Sequence, residues 1–211
     1  MNVNFEQTKK LAGEGAILLL LSVIPYVGWV LGIIGIVLLM KSMKEFSDYY
    51  HDQAIYQNAW TGLKYYIVAI VAVAVAGTAM FIGVASATAF TFNVFTLTAG
   101  FGIGLIACLA GLVVAFVFYV LAASHLKDTF NTLAEKSGDQ SLSTAGTLLW
   151  VGSLLTIIGV GLVLIFVAWI FAAVGFFGMK NQQYPQYSQT QPYNYSPPQQ
   201  PAQPINPQTT A

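Results

Sequence analysis

Between Tyr65 and Ser124 the chain carries no Asp, Glu, Lys, Arg or His. No other feature constrains the fold as tightly. A stretch of that kind cannot coat a water-soluble surface, which needs charged groups spread over it. Inside it lie two apolar runs, 65–88 and 97–122. At a helical rise of about 1.5 Å per residue, each is long enough to cross a hydrocarbon core of about 30 Å. The uncharged segment Ala89–Thr96 joins them. The pattern predicts a transmembrane hairpin.

Composition extends this to the whole chain. Of 211 residues, 56% are hydrophobic and 8% charged, and the mean hydropathy is +0.68. An ordinary soluble domain has about 25% charged residues. The charges are eight lysines and eight acids, with no arginine and no net charge. That balance excludes nucleic acid as a partner and leaves the lipid bilayer as the expected one. The single cysteine, Cys108, lies in an apolar run, so it has no disulfide partner and reads as a small core residue.

Two further apolar regions, 11–40 and 142–179, flank the hairpin. Each is overlong for one crossing and short for two. The first follows Lys9-Lys10 but far exceeds a signal-peptide core of roughly 7–15 residues, so it reads as retained. It is interrupted at Ile24-Pro25-Tyr26-Val27-Gly28, and all other prolines lie beyond residue 184. Proline removes a backbone donor and clashes with the preceding turn. The second region has Gly159-Val160-Gly161 near its middle. Each is then either a kinked single helix or a hairpin.

Lysine counting separates these alternatives, because short loops rich in Lys face the cytoplasm. With four crossings the better orientation puts Lys41, Lys44, Lys64, Lys127 and Lys136 inside and Lys9, Lys10 and Lys180 outside. With six segments all eight lysines fall on one side. The residues therefore favour an all-α polytopic bundle of six helical segments in the cell membrane, with both termini cytoplasmic. Four crossings are the alternative. Segments 11–24 and 27–40 would each be about 21 Å long, which suits re-entrant helices or helices whose polar ends snorkel.

The polar segment Lys41–Trp60 has Met43, Phe46, Tyr50 and Ala54 at helical spacing, until Gln57 ends the stripe. Segment 123–136 carries Leu126, Phe130, Leu133 and Ala134 on one stripe. Extension of the transmembrane helices is the simpler expectation for both, and surface amphipathic helices are the alternative. Glu135-Lys136-Ser137-Gly138 reads as a helix end with a glycine stop, and Ser143 or Thr144 as the next cap. Residues 1–180 thus form the membrane domain. Residues 181–211 hold nine Gln, seven Pro, four Tyr and no charge, and read as a disordered tail. Its prolines at 198, 201, 204 and 207 suit local polyproline II; a solubilising tether is the simpler reading, and a segment for weak self-association or a protein partner is the alternative.

Candidate chemistry is sparse. Small residues four apart, such as Gly28/Gly32 and Gly100/Gly104, let helices approach closely in lipid. They serve packing within the chain or a homo-oligomer. Glu14, one turn after Lys10, reads as a border residue near the headgroups. Glu45, Asp48, His51 and Asp52 form the best polar cluster, with His125 and Asp128 expected on the same side. Carboxylates with histidine suit a divalent metal, but no second histidine stands at ligand spacing, and a solvated polar face is the simpler reading. No Gly-x-Ser-x-Gly, dinucleotide fingerprint or Walker-type loop is present. No catalytic residue, cofactor or metal ligand is assigned.

Several stretches resemble a prokaryotic membrane family called domain of unknown function 996. They are Leu11–Leu18, Ile24–Gly28, Phe46–Tyr50 with Asp52, Ile55 and Asn58, then Ser137-Gly138, Thr144–Gly146 and Ala168–Ala173. The resemblance covers most of residues 8–180. It implies an integral membrane protein, frequent in archaea, with no assigned activity and no catalytic residue to carry over. His51 departs from the family pattern, which expects a small residue there. The functional expectation is a structural or interaction scaffold. The alternative is a transporter or channel for a small or apolar solute; an enzyme built around Asp48 ranks third.

Overall fold

The computed structural model describes residues 4–90 and 94–180, with side chains of these apart from 86–99. Among the described residues there are six α-helices and no strand. They are α1 (Phe5–Leu21), α2 (Gly28–Tyr50), α3 (Gln53–Phe90), α4 (Val94–Ser137), α5 (Gln140–Leu155) and α6 (Gly161–Gly178). Six helical segments are what the lysine pattern favours. The expected tail, 181–211, lies outside the described residues.

Both ambiguous apolar regions are hairpins. After α1, Ser22 donates its hydroxyl to the Leu19 carbonyl at 2.6 Å. Pro25 follows, and Tyr26 takes a left-handed φ of 69°. Gly28 opens α2 against the Ser22 backbone, where a Cβ would collide. In the second region a single 3-10 turn, Thr156–Ile158, ends at Gly159 with φ 80°. Glycine alone takes that backbone without strain.

The polar segments are extensions of the long helices. Segment 41–60 is not continuous, however. His51 caps α2 in a left-handed conformation, φ 52°, and the Asp52 carboxylate accepts the Ala54 N–H at 3.0 Å. Ala54 therefore leaves the α2 stripe, and Asp52 does not share a helix face with Glu45 and Asp48. Gly138 is the expected stop for α4, with φ 73°. The cap of α5 is Asp139, whose carboxylate accepts the Ser141 N–H at 2.8 Å, and neither Ser143 nor Thr144 takes that role. Their hydroxyls instead donate to Asn131 Oδ1 at 2.9 Å and to the Gln140 carbonyl at 3.2 Å.

Each helix packs antiparallel against its sequence neighbours, and α1 closes the ring on α6. Gly15 meets the Gly35–Leu39 backbone, Gly62 meets Ala122, Gly111 meets Ala76, and Gly152 meets Gly161. In each case the missing side chain lets two helix backbones approach. The α1/α2 and α5/α6 bends therefore point to one end of the ring, the end toward which α3 runs and from which α4 returns. The opposite end holds the charges and the start of α1, and there Lys9 donates to the Met179 carbonyl at 3.4 Å.

The hairpins differ in reach. With 38 and 44 residues, α3 and α4 run about 57 and 66 Å, whereas α1 and α6, with 17 and 18, run about 26 and 27 Å. Past Ala76 and Gly111 the long hairpin leaves the ring behind and exposes Phe81, Ile82, Ile103 and Ile106. The core sits at the charged end. There Phe46, Phe130 and Phe176 are fully buried, with Phe46 stacked on Phe176 at 6.3 Å and Phe130 edge-on to it at 5.6 Å.

Among the described residues four helical stretches are long and apolar enough to cross a membrane: Gln53–Ala85, Gly100–Ser137, Gln140–Ile158 and Gly161–Gly178. Lysine–aromatic pairs lie on α3 and between α4 and α5. Lys127 lies 4.5 Å over the Trp150 ring and Lys64 lies 5.9 Å from that of Trp60. Amphipathic rings and snorkelling lysines are typical of the membrane–water interface.

Candidate functional site

Among the described residues several polar side chains of the charged end are engaged with one another or with the backbone. Glu45 accepts the hydroxyl of the buried Thr8 at 2.7 Å. Asp52 pairs with Lys136 at 3.4 Å and so ties the α2–α3 junction to the end of α4. Lys9 pairs with Glu6 at 2.9 Å. His51 is spent on ending α2. His125 stacks on Tyr65 at 5.4 Å, with its Nδ1 buried and unpaired. Among the described residues no three His, Cys, Asp or Glu side chains group at metal-binding distance. Glu14 is exposed on α1, and the ion pairs among the described residues do not include one between it and Lys10. Cys108 is a half-buried free thiol.

The concave feature of the fold is elsewhere. A cavity of about 560 Å³ occupies the centre of the ring, and all six helices contribute to its wall. That volume falls in the usual range for small-molecule sites, roughly 300–1,000 Å³. Val23, Leu162 and Val163, exposed at the bends of the short hairpins, line one end. Leu39, Ala59 and Leu149, all buried, line the other. The phenylalanine core adjoins the wall toward the charged end, where Trp169 packs edge-on to Phe130 at 6.4 Å. No charged side chain lines the cavity. Tyr66 on α3 and Tyr119 on α4 stand side by side in the wall, ring centroids 6.5 Å apart.

Comparison with known proteins fits this picture. A family described as a protein of unknown function, DUF996, matches residues 31–170. The chain belongs to that family. An uncharacterized protein of Methanocaldococcus jannaschii, MJ1644, is 26% identical over 179 residues, which cover 85% of this chain and 95% of the relative. No solved structure matches. The DUF996 match takes in the cavity walls on α2 to α6 and leaves out the four wall residues of α1 and the bend that follows it.

Sequence reasoning missed the cavity residues. Tyr66 and Tyr119 read as ordinary members of charge-free helices. One signal was available: both fall near the ends of the charge-free run, Tyr66 beside Tyr65 and close to Trp60. That marks an interface belt, but not which rings turn inward. The small-residue seams are used largely within the chain, since Gly83 meets Gly100 and Gly104, and Gly175 meets Leu142. Gly77 and Gly102 face open space.

Proposed function

We propose that the protein is a structural membrane protein that inserts unequally into the two leaflets. The observation that carries this is the unequal reach of the hairpins. From the level of Lys41, the α1/α2 bend lies about 20 Å away along α2, whereas α3 runs about 39 Å beyond Lys64. A hydrocarbon core of about 30 Å is crossed by α3 and α4 alone in this reading. Measured from Trp150, beside Lys127, the α5/α6 bend is about 15 Å away, so both short hairpins re-enter near the middle although α5 and α6 are each long and apolar enough to cross.

Six helices then occupy the leaflet next to the charged end, and two occupy the other. Lysine bias orients the charged end to the cytoplasm, with both termini on that side. Unequal area in two coupled leaflets favours curvature toward the crowded one. The test is reconstitution into phosphatidylcholine vesicles at rising protein-to-lipid ratio, imaged in vitreous ice. Shrinking diameters or tubules are expected. Unchanged diameters with full incorporation would overturn the reading. A second reading, passage of a small apolar solute, is motivated by the central cavity. The packed core beneath that cavity favours holding a molecule over passing one.

A further inference from the structure

The structure points to a lipid-binding site in the central cavity. We propose that it takes an uncharged lipid, a hydrocarbon chain bearing one hydrogen-bond-accepting oxygen, with that oxygen between Tyr66 and Tyr119. Three observations carry this. The wall holds no ionisable side chain apart from the two phenols, so a charged headgroup inside would lack a partner and its cost would be prohibitive. The end lined by Val23, Leu162 and Val163 is exposed and apolar. By the placement argued above it faces the bilayer interior, where neutral lipids dissolve. Toward the charged face Phe46, Phe130 and Phe176 are fully buried, so a water-borne solute would have to cross a packed core to enter from that side.

The tyrosines supply the specificity. Neither hydroxyl has a hydrogen-bond partner among the described residues, and Ser22, the other hydroxyl of the wall, already donates to the Leu19 carbonyl at 2.6 Å. Away from water a phenol seeks an acceptor. The rings stand side by side, 6.5 Å between centres, so two donors share one stretch of the wall. A membrane alcohol or ketone has an accepting oxygen at the end of a chain, and the apolar wall accepts the chain.

The probe is a long-chain alcohol with a diazirine in its chain, present at trace level in phosphatidylcholine vesicles holding the full protein. After photolysis, peptides are mapped with and without excess unlabelled alcohol. Saturable labelling is expected at Tyr119–Leu126 and around Trp169. Val113, exposed on α4, labels without saturation, and its labelling reports that α4 lies in hydrocarbon even when the site fails. The double variant Tyr66→Phe, Tyr119→Phe keeps the wall and removes both donors. Its saturable labelling falls roughly five- to a hundredfold, the weight of two hydrogen bonds. Ala123→Phe fills the cavity and abolishes it; should that variant fail to fold, the tyrosine pair decides alone. Absent saturation, or unchanged labelling in the tyrosine variant, overturns the proposal. So does equal labelling of the same peptides by a diazirine phosphatidylcholine, which would assign the cavity to ordinary acyl chains.

Discussion

Tyr26 sits at the bend of the α1/α2 hairpin, 95% exposed. Its depth decides between a re-entrant and a crossing hairpin. From Gly28 to Lys41 the helix rises about 20 Å, which stops about 10 Å short of the far side of a 30 Å core. For the bend to reach the far headgroups the hairpin must sink by that 10 Å. Glu14 and Lys41 would go with it, at about 2.5–3.5 kcal/mol for each charge near the bilayer centre. The sum, about 5 kcal/mol or more, disfavours the crossing arrangement by a factor in the thousands. In a Cys108→Ala background, Tyr26→Cys is expected to resist an impermeant maleimide supplied on both sides of sealed vesicles, and to react in detergent. Gln53→Cys, exposed at the start of α3, gives the water-facing rate. Labelling of the Tyr26→Cys variant at that rate in sealed vesicles would refute the argument.

Two substitutions test the packing. At Gly83 an added Cβ would stand 2.7 Å from the Gly100 carbonyl oxygen, so Gly83→Ala should destabilise by about 1–3 kcal/mol. Gly77→Ala, with nothing within 4 Å, should leave stability equal or raise it by up to about 1 kcal/mol. Reversible unfolding in mixed micelles reads both. Asp139→Ala removes the α5 cap and should cost about 1 kcal/mol. In the same assay Lys136→Ala should cost less, because its 3.4 Å pair with Asp52 is partly exposed and such pairs contribute little.

What could be read from the sequence was what local chemistry dictates. Pro25 and Gly159 break their regions because a ring nitrogen and a left-handed backbone act within one turn. Gly138 stops α4 for the same kind of reason. The break at His51 had no glycine or proline to mark it, and only the end of the apolar stripe at Gln57 hinted at it. Asp139 was overlooked as a cap because hydroxyl residues crowd the following turn. The cavity was not legible at all. Its wall draws on six helices, and which face of Tyr66 or Tyr119 turns inward depends on how the ring closes, which no window of residues contains.

That closure also orders how the fold can be made. Lys9 reaches Met179 across 170 positions of chain, and Phe5 packs on Phe46 at 6.1 Å within the core that Phe176 completes. A ribosome delivers α1 first and α6 last. Until α6 emerges, the first hairpin has no final neighbour and the core lacks its third phenylalanine. The ring is therefore a late product of synthesis, and a chain stalled before α6 presents an open, sticky arc of helices at the membrane face. Such an intermediate invites a wrong partner or a protease, so the last helix both completes the bundle and ends the window of risk.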